Sequence, residues 1–174
     1  MPNDMKTILV TGPIGGGKSE VCRYLESKGF PVYDSDSRTK HLYWSVPGLL
    51  DSLEEALGVP FREFGIIFSD SSKREKLEEI VYPLVADDIQ KWKEAQKGAE
   101  TVFIESAVAA GKDIFKALYD EVWLIDAPLD VRKARNPKAA VRDGIQSFNR
   151  EEASKIIIND ASISELHKKI DKLS

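Results

Sequence analysis

The stretch Gly12-Pro13-Ile14-Gly15-Gly16-Gly17-Lys18-Ser19 constrains this chain more than any other. It follows the apolar run Ile8-Leu9-Val10-Thr11 and opens into helix-forming residues from Glu20 to Lys28. The spacing is G-x-x-x-x-G-K-[ST], with a strand before it and a helix after it. Glycines let the backbone wrap closely enough for N–H groups to face phosphate oxygens, and the helix places its positive end at the same spot. Pro13, Ile14, Gly15, Gly16, Gly17, Lys18, Ser19 and Glu20 are therefore expected to bind a nucleoside triphosphate, ATP. Lys18 is expected to reach the β- and γ-phosphates, and the Ser19 hydroxyl to sit on Mg²⁺.

The rest of the chain reads as a parallel sheet around this loop. Lys6 to Thr11 forms a buried strand, and Gly29 stops the first helix. Phe30 to Tyr33 forms a second strand, which completes a strand-helix-strand unit with a right-handed crossover. Thr101 to Ile104, Glu121 to Ile125 and Lys155 to Ile158 read as later strands, each followed by a polar residue: Glu105, Asp126 and Asn159. In an open parallel sheet, ligands gather beyond the carboxyl ends of the strands. The fold class is α/β, a three-layer sandwich of the P-loop NTPase type with a five-stranded parallel sheet, a helical insert and a lid. Within the single domain 1–174, the core takes 1–40, 99–130 and 155–174. The insert takes about 41–98 and the lid about 131–154.

In the insert, Leu49 to Leu57 has helical spacing and ends at Gly58. A longer apolar stripe runs from Lys73 to Ala95, where Pro83 predicts a kink. Phe61 to Phe68 between them reads as irregular. From Val131 to Arg142 the chain carries Arg132, Lys133, Arg135, Lys138 and Arg142 and no acidic residue. Singly, each reads as part of a solvated helix face. Together they suit a lid over the triphosphate that supplies Arg135 and Arg142 to the transferring group, with Asn136-Pro137 as its hinge. The terminal helix turns Ile163, Leu166, Ile170 and Leu173 inward.

Net charge is −4, so no general basic surface favours nucleic acid. Cys22 is the single cysteine, which excludes an internal disulfide and a cysteine-rich zinc site. It reads as a buried thiol on the first helix. No run is long enough to span a bilayer, and Met1 to Lys6 is no signal peptide, so a cytoplasmic protein is expected.

Phosphoryl transfer also needs a group that orients the attacking hydroxyl. Asp34 and Asp36 close the second strand, and alternation along an extended segment sets them on one side. Both are candidates for catalysis, against the alternative of a helix N-cap. Glu105 is a candidate metal-side carboxylate. His41 reads as surface or packing and His167 as solvated.

These residues resemble those of the dephospho-coenzyme A kinase family. Thr11 to Ser19 is similar to the family's phosphate loop, and Val32-Tyr33-Asp34-Ser35-Asp36 to its second-strand end. There the aspartate matching Asp36 is the proposed base. Leu49 to Gly58 and the Pro83 helix resemble its acceptor-binding region. Asp126-Ala127-Pro128, Arg135 and Arg142 resemble its lid, and Ile157 to Asp160 a segment near the adenine, which implies Asn159 in nucleotide binding. The resemblance implies phosphorylation of the ribose 3′-hydroxyl of dephospho-CoA by MgATP. Four departures stand against it, one of them a helical insert on the acceptor side that is several residues short. Pro13 replaces a glycine, Tyr82 replaces a histidine, and Ser106 to Gly111 replaces a run that carries a glutamate. The last two lie on the acceptor side. They leave open a related kinase of another nucleotide-like or hydroxylated molecule, or a nucleotide-binding relative without turnover.

Overall fold

The computed structural model describes residues 5–140 and 150–173; Arg142 lies outside the described residues. Five strands form one parallel sheet in the order β2-β3-β1-β4-β5: β1 (Lys6–Thr11), β2 (Val32–Asp34), β3 (Thr101–Glu105), β4 (Glu121–Asp126) and β5 (Lys155–Ile158). The helices are α1 (Lys18–Ser27), α2 (Ser35–Ser45), α3 (Leu49–Leu57), α4 (Ser71–Ala95), α5 (Asp113–Lys116), α6 (Leu129–Arg135) and α7 (Ile163–Asp171). Short 3₁₀ stretches occupy Phe61–Ser69 and Arg150–Glu152.

The central strand β1 is buried on both faces because a parallel sheet is covered twice. Its alternation assigns the two covers. Ile8 and Val10 point to α1 and α7, where they join Val21, Cys22, Leu25, Phe103, Trp123, Ile125, Ile157, Leu166 and Ile170. Leu9 points the other way, with Tyr33, Ile104 and Val122, into a core built from α2, α3, α4 and Phe115. Fully buried leucines such as Leu9, Leu25 and Leu53 each contribute about 1.5–3 kcal/mol through apolar burial.

Local signals set the ends of the elements. Gly58 closes α3 in the left-handed region at φ 71°, which glycine tolerates without a steric cost. Asp70 caps α4 by accepting from the Lys73 N–H at 3.1 Å, and Ser162 caps α7 through Glu165 N–H at 3.1 Å. The helix α4 continues through Pro83, whose exposed ring does not end it.

Several expectations change. Phe61–Ser69 is 3₁₀ and not irregular, and packs Phe61 and Phe64 with Tyr43 in an edge-to-face aromatic group. Ile163 is exposed and not turned inward, because α7 begins there, before its apolar stripe meets α1. His167 is half-buried and not solvated: its ring stacks on Tyr24 at 3.8 Å and its Nε2 meets Glu20 at 3.2 Å. Among the described residues, no helix is long and apolar enough to cross a membrane.

Candidate active site

The phosphate loop leaves the carboxyl end of β1 and is shaped by close approach. A Cβ on Gly12 would lie 2.1 Å from the Ile125 carbonyl oxygen of β4, and one on Gly16 2.6 Å from the same oxygen. Gly15 and Gly17 adopt φ +79° and +109°, conformations that side-chain-bearing residues rarely take. Pro13 is buried and closes the turn by accepting from the Gly16 N–H at 3.0 Å, so its missing donor is not needed there. Gly17 then caps α1, which presents the half-buried Lys18 and the exposed Ser19 in its first turn.

The sheet register brings the carboxylates to this loop. Asp34 pairs with Glu105 across β2 and β3, and Val10 pairs with Glu105 across β1 and β3. Burial pushes the Glu105 carboxyl above the usual carboxylate range, and the charges of Asp34 and Asp36 add to this while Cys22 and Lys18 oppose it. Burial lowers the Lys18 ammonium below the usual lysine range, against the attraction of Glu105 and Asp36. Lys18, Asp34, Asp36 and Glu105 thus act on one another electrostatically at a single sheet edge.

Asp34 and Asp36 do not share an extended segment. The helix α2 starts at Ser35, so Asp36 sits in its first turn while Asp34 caps it. Asp34 accepts from the Ser37 N–H at 3.3 Å and the Ser37 hydroxyl at 3.0 Å. The capping alternative holds for Asp34, and Asp36 is left exposed beside the loop. The helix α2 is anchored by Asp88 of α4, which accepts two bonds from Arg38, at 2.9 and 3.0 Å, and one from the Tyr33 hydroxyl at 2.7 Å.

On the opposite flank, Arg132 is buried, not part of a solvated face. Its Nε donates to the Ala127 carbonyl at 2.8 Å and its Nη1 to the Ile14 carbonyl at 3.4 Å. Arg135 donates to the carbonyls of Gly15 at 2.9 Å and Asn159 at 2.8 Å. The Asn159 side chain donates to the Gly16 carbonyl at 3.0 Å. Glu20 turns its carboxylate away, to Arg23 and His167. Asp126 pairs with Arg150 at 2.7 Å. Sequence reasoning named Arg132 and Asp126 without giving either a contact at the loop, and passed over Arg150. A cationic run carries no mark of which member will be buried, although Asp126 at a strand end was a usable signal.

Tyr82 and Ser106 to Gly111, two of the departures expected on the acceptor side, both take partners within the protein. The Tyr82 hydroxyl donates to Glu78 at 3.0 Å, and its ring packs on Phe115. Burial and the Glu78 charge push this phenol above its usual range, so it stays a neutral donor. After β3, the Ser106 hydroxyl accepts from the N–H groups of Val108 and Ala109, each at 3.2 Å, and folds the loop back on itself. Ala109 is buried there, and the Glu152 carboxylate lies against the end of the turn, 3.0 Å from where a Cβ on Gly111 would stand.

No group of three or more His, Cys, Asp or Glu side chains among the described residues could hold a metal ion alone. The exposed Ser19 hydroxyl and the nearby Glu105 still fit Mg²⁺, which takes one or two protein oxygens and fills its octahedron with phosphates and water.

The sequence pattern of the dephospho-CoA kinase family matches residues 6–173. The dephospho-CoA kinase of Porphyromonas gingivalis is 38% identical over 149 residues, covering 80% of this chain and 71% of that protein. That of Salinibacter ruber is 29% identical and covers 97% of this chain and 96% of that protein. A crystal structure from Thermus thermophilus superposes with a TM-score of 0.79 at 26% identity, covering 97% and 96% of the two chains. The fold is shared with shikimate kinase from Acinetobacter baumannii, at TM-score 0.55 and 18% identity over 98% of this chain and 93% of that one. The chain belongs to the dephospho-CoA kinase family.

Proposed function

We propose that the chain transfers the γ-phosphoryl group of ATP to the ribose 3′-hydroxyl of dephospho-CoA. Family membership supports the reaction. The observation that carries the assignment of roles is the meeting of Lys18, Asp36 and Glu105 where the phosphate loop faces the helical insert.

Lys18 stabilises charge on the β- and γ-phosphates, with Arg142 of the lid a further candidate. The exposed Asp36 accepts the proton of the attacking hydroxyl. The new bond forms between that oxygen and the γ-phosphorus, the bond to the β–γ bridging oxygen breaks, and ADP carries away the electron pair. Asp34, which caps the helix α2, sets where Asp36 stands. Ser19 and Glu105 would hold Mg²⁺, which when bound neutralises the charge between the β- and γ-phosphates.

A steady-state assay of ADP release checks this. Dephospho-CoA should stimulate release well above the acceptor-free rate. Asp36→Asn should lower kcat by about 100-fold or more while ATP affinity is kept, the size ordinary for a lost general base. The altered acceptor side, Tyr82 and the Ser106 turn, favours a second reading in which another hydroxylated nucleotide is the acceptor. Stimulation by such a molecule and not by dephospho-CoA would establish it.

A further inference from the structure

We infer that Arg132, Arg135 and Asn159 are positioning residues that clamp three consecutive carbonyls of the phosphate loop from outside and so preset its N–H groups for phosphate. The inference rests on the loop being the nucleotide site, as proposed above, and reassigns Arg135, which sequence reasoning placed on the transferring group, and Asn159, which it placed on the nucleotide.

Three side chains take three successive loop carbonyls. Arg132 holds Ile14, Arg135 holds Gly15 and Asn159 holds Gly16. A trans peptide is planar, with its C=O and the following N–H pointing in opposite directions. Fixing the carbonyls of Ile14 and Gly16 outward therefore turns the N–H groups of Gly15 and Gly17 inward. The N–H between them, that of Gly16, crosses the loop to Pro13 and holds its width.

The clamp is seated directly on the loop. A Cβ on Gly15 would come 2.7 Å from the Arg132 carbonyl oxygen, and one on Gly17 2.3 Å from the Asn159 amide nitrogen. Its parts are also tied to one another. Arg135 bonds the Asn159 carbonyl, and the Asn159 N–H donates to the Asp126 carbonyl at 2.7 Å. Arg132 is anchored at Ala127, just beyond β4. The guanidinium of Arg135 is thus engaged by two backbone oxygens, and the amide of Asn159 by one. A cradle held in its binding conformation loses less freedom on closing around a ligand, which is how preorganisation raises affinity.

The two assignments differ in what they bind. A clamp acts through the β-phosphate cradle, so it affects any polyphosphate equally. An arginine on the transferring group affects ATP and kcat but not ADP. An asparagine at the adenine affects ADP but not inorganic tripolyphosphate. Calorimetric titration of the full chain with ADP, ATP and tripolyphosphate, each with Mg²⁺, separates them.

Asn159→Leu, which keeps the branched shape and adds no charge but lacks the donor, and Arg135→Met should each weaken all three ligands by the same factor. That factor should be about 10-fold, the upper end of what one hydrogen bond is worth. Arg135→Lys should recover part of it. Loss of ADP binding with tripolyphosphate unaffected in Asn159→Leu would overturn the inference, as would loss confined to ATP in Arg135→Met. Unchanged affinities would also overturn it while leaving the proposed reaction intact. Tripolyphosphate that does not bind the wild type would rule out a preset cradle. A wild type that binds no ADP would remove the nucleotide reading and this inference with it. If Arg135→Met does not fold, Asn159→Leu carries the test.

Discussion

The anchorage of α2 on Asp88 can be tested quantitatively. Removing the Asp88 carboxylate by Asp88→Ala strands the hydroxyl of Tyr33, a residue only 1% exposed. Leaving a buried donor unmet costs about 1–3 kcal/mol. The Arg38 side chain is 43% exposed, so solvent screens its pair with Asp88, and that part adds at most about 1 kcal/mol. The expected loss is therefore about 1–4 kcal/mol in urea unfolding. Tyr33→Phe removes the hydroxyl alone and should cost about 1–2 kcal/mol in the wild type but almost nothing beside Asp88→Ala. The coupling in that double-mutant cycle should then be about 1–2 kcal/mol. The Arg38 and Tyr33 bonds hold the Asp88 carboxyl below the usual range. A depressed carboxyl contributes stability above its unfolded pKa and loses it as pH falls through the folded value. The gap between wild type and Asp88→Ala should accordingly shrink below about pH 4. If Tyr33→Phe costs the same with and without Asp88, the hydroxyl draws nothing from that carboxylate and the reasoning fails.

Three further outcomes concern Cys22 and Glu105. Burial and the nearby Glu105 push the Cys22 thiol up, so in the native protein it should resist thiol reagents at neutral pH and react fully only once urea has unfolded the chain; rapid labelling of the folded protein would contradict this. The raised Glu105 carboxyl ionises later than an ordinary glutamate, so affinity for ADP with Mg²⁺ should rise with pH through that range, and Glu105→Gln should flatten the rise. The same shift makes the unliganded wild type lose stability relative to Glu105→Gln as pH climbs through that range, because the folded state holds the proton more tightly.

The sheet was readable because its signals are local. Each strand is a short apolar run, and four glycines, Gly12, Gly15, Gly16 and Gly17, mark where the backbone passes close to β4, Arg132 or Asn159. The ends of α3 and α4 were readable for the same reason. The flanks of the site were less so, because their geometry is set by packing between distant segments. Nothing in the run from Val131 to Arg142 distinguishes the buried Arg132 from the exposed Lys133. That difference arises only when α6 is laid against Ile14. Asp34 and Asp36 were misplaced onto one strand because the switch from extended to helical backbone falls between them, at Ser35. His167 was taken as solvated because its partners, Glu20 and Tyr24, lie 147 and 143 residues away in the chain.

The two cores on either side of the sheet have a consequence for how this architecture can change. One core holds α1 and α7 beneath the phosphate loop, and the other holds α2, α3 and α4 beneath the insert. A substitution such as Tyr82, set against Phe115 in the second core, spends its packing cost there and leaves the first undisturbed. The fold is in this sense modular in its tolerance. The half that receives a phosphoryl group can be rebuilt residue by residue while the half that donates it keeps its shape, so new acceptors are open to it without re-inventing the donor.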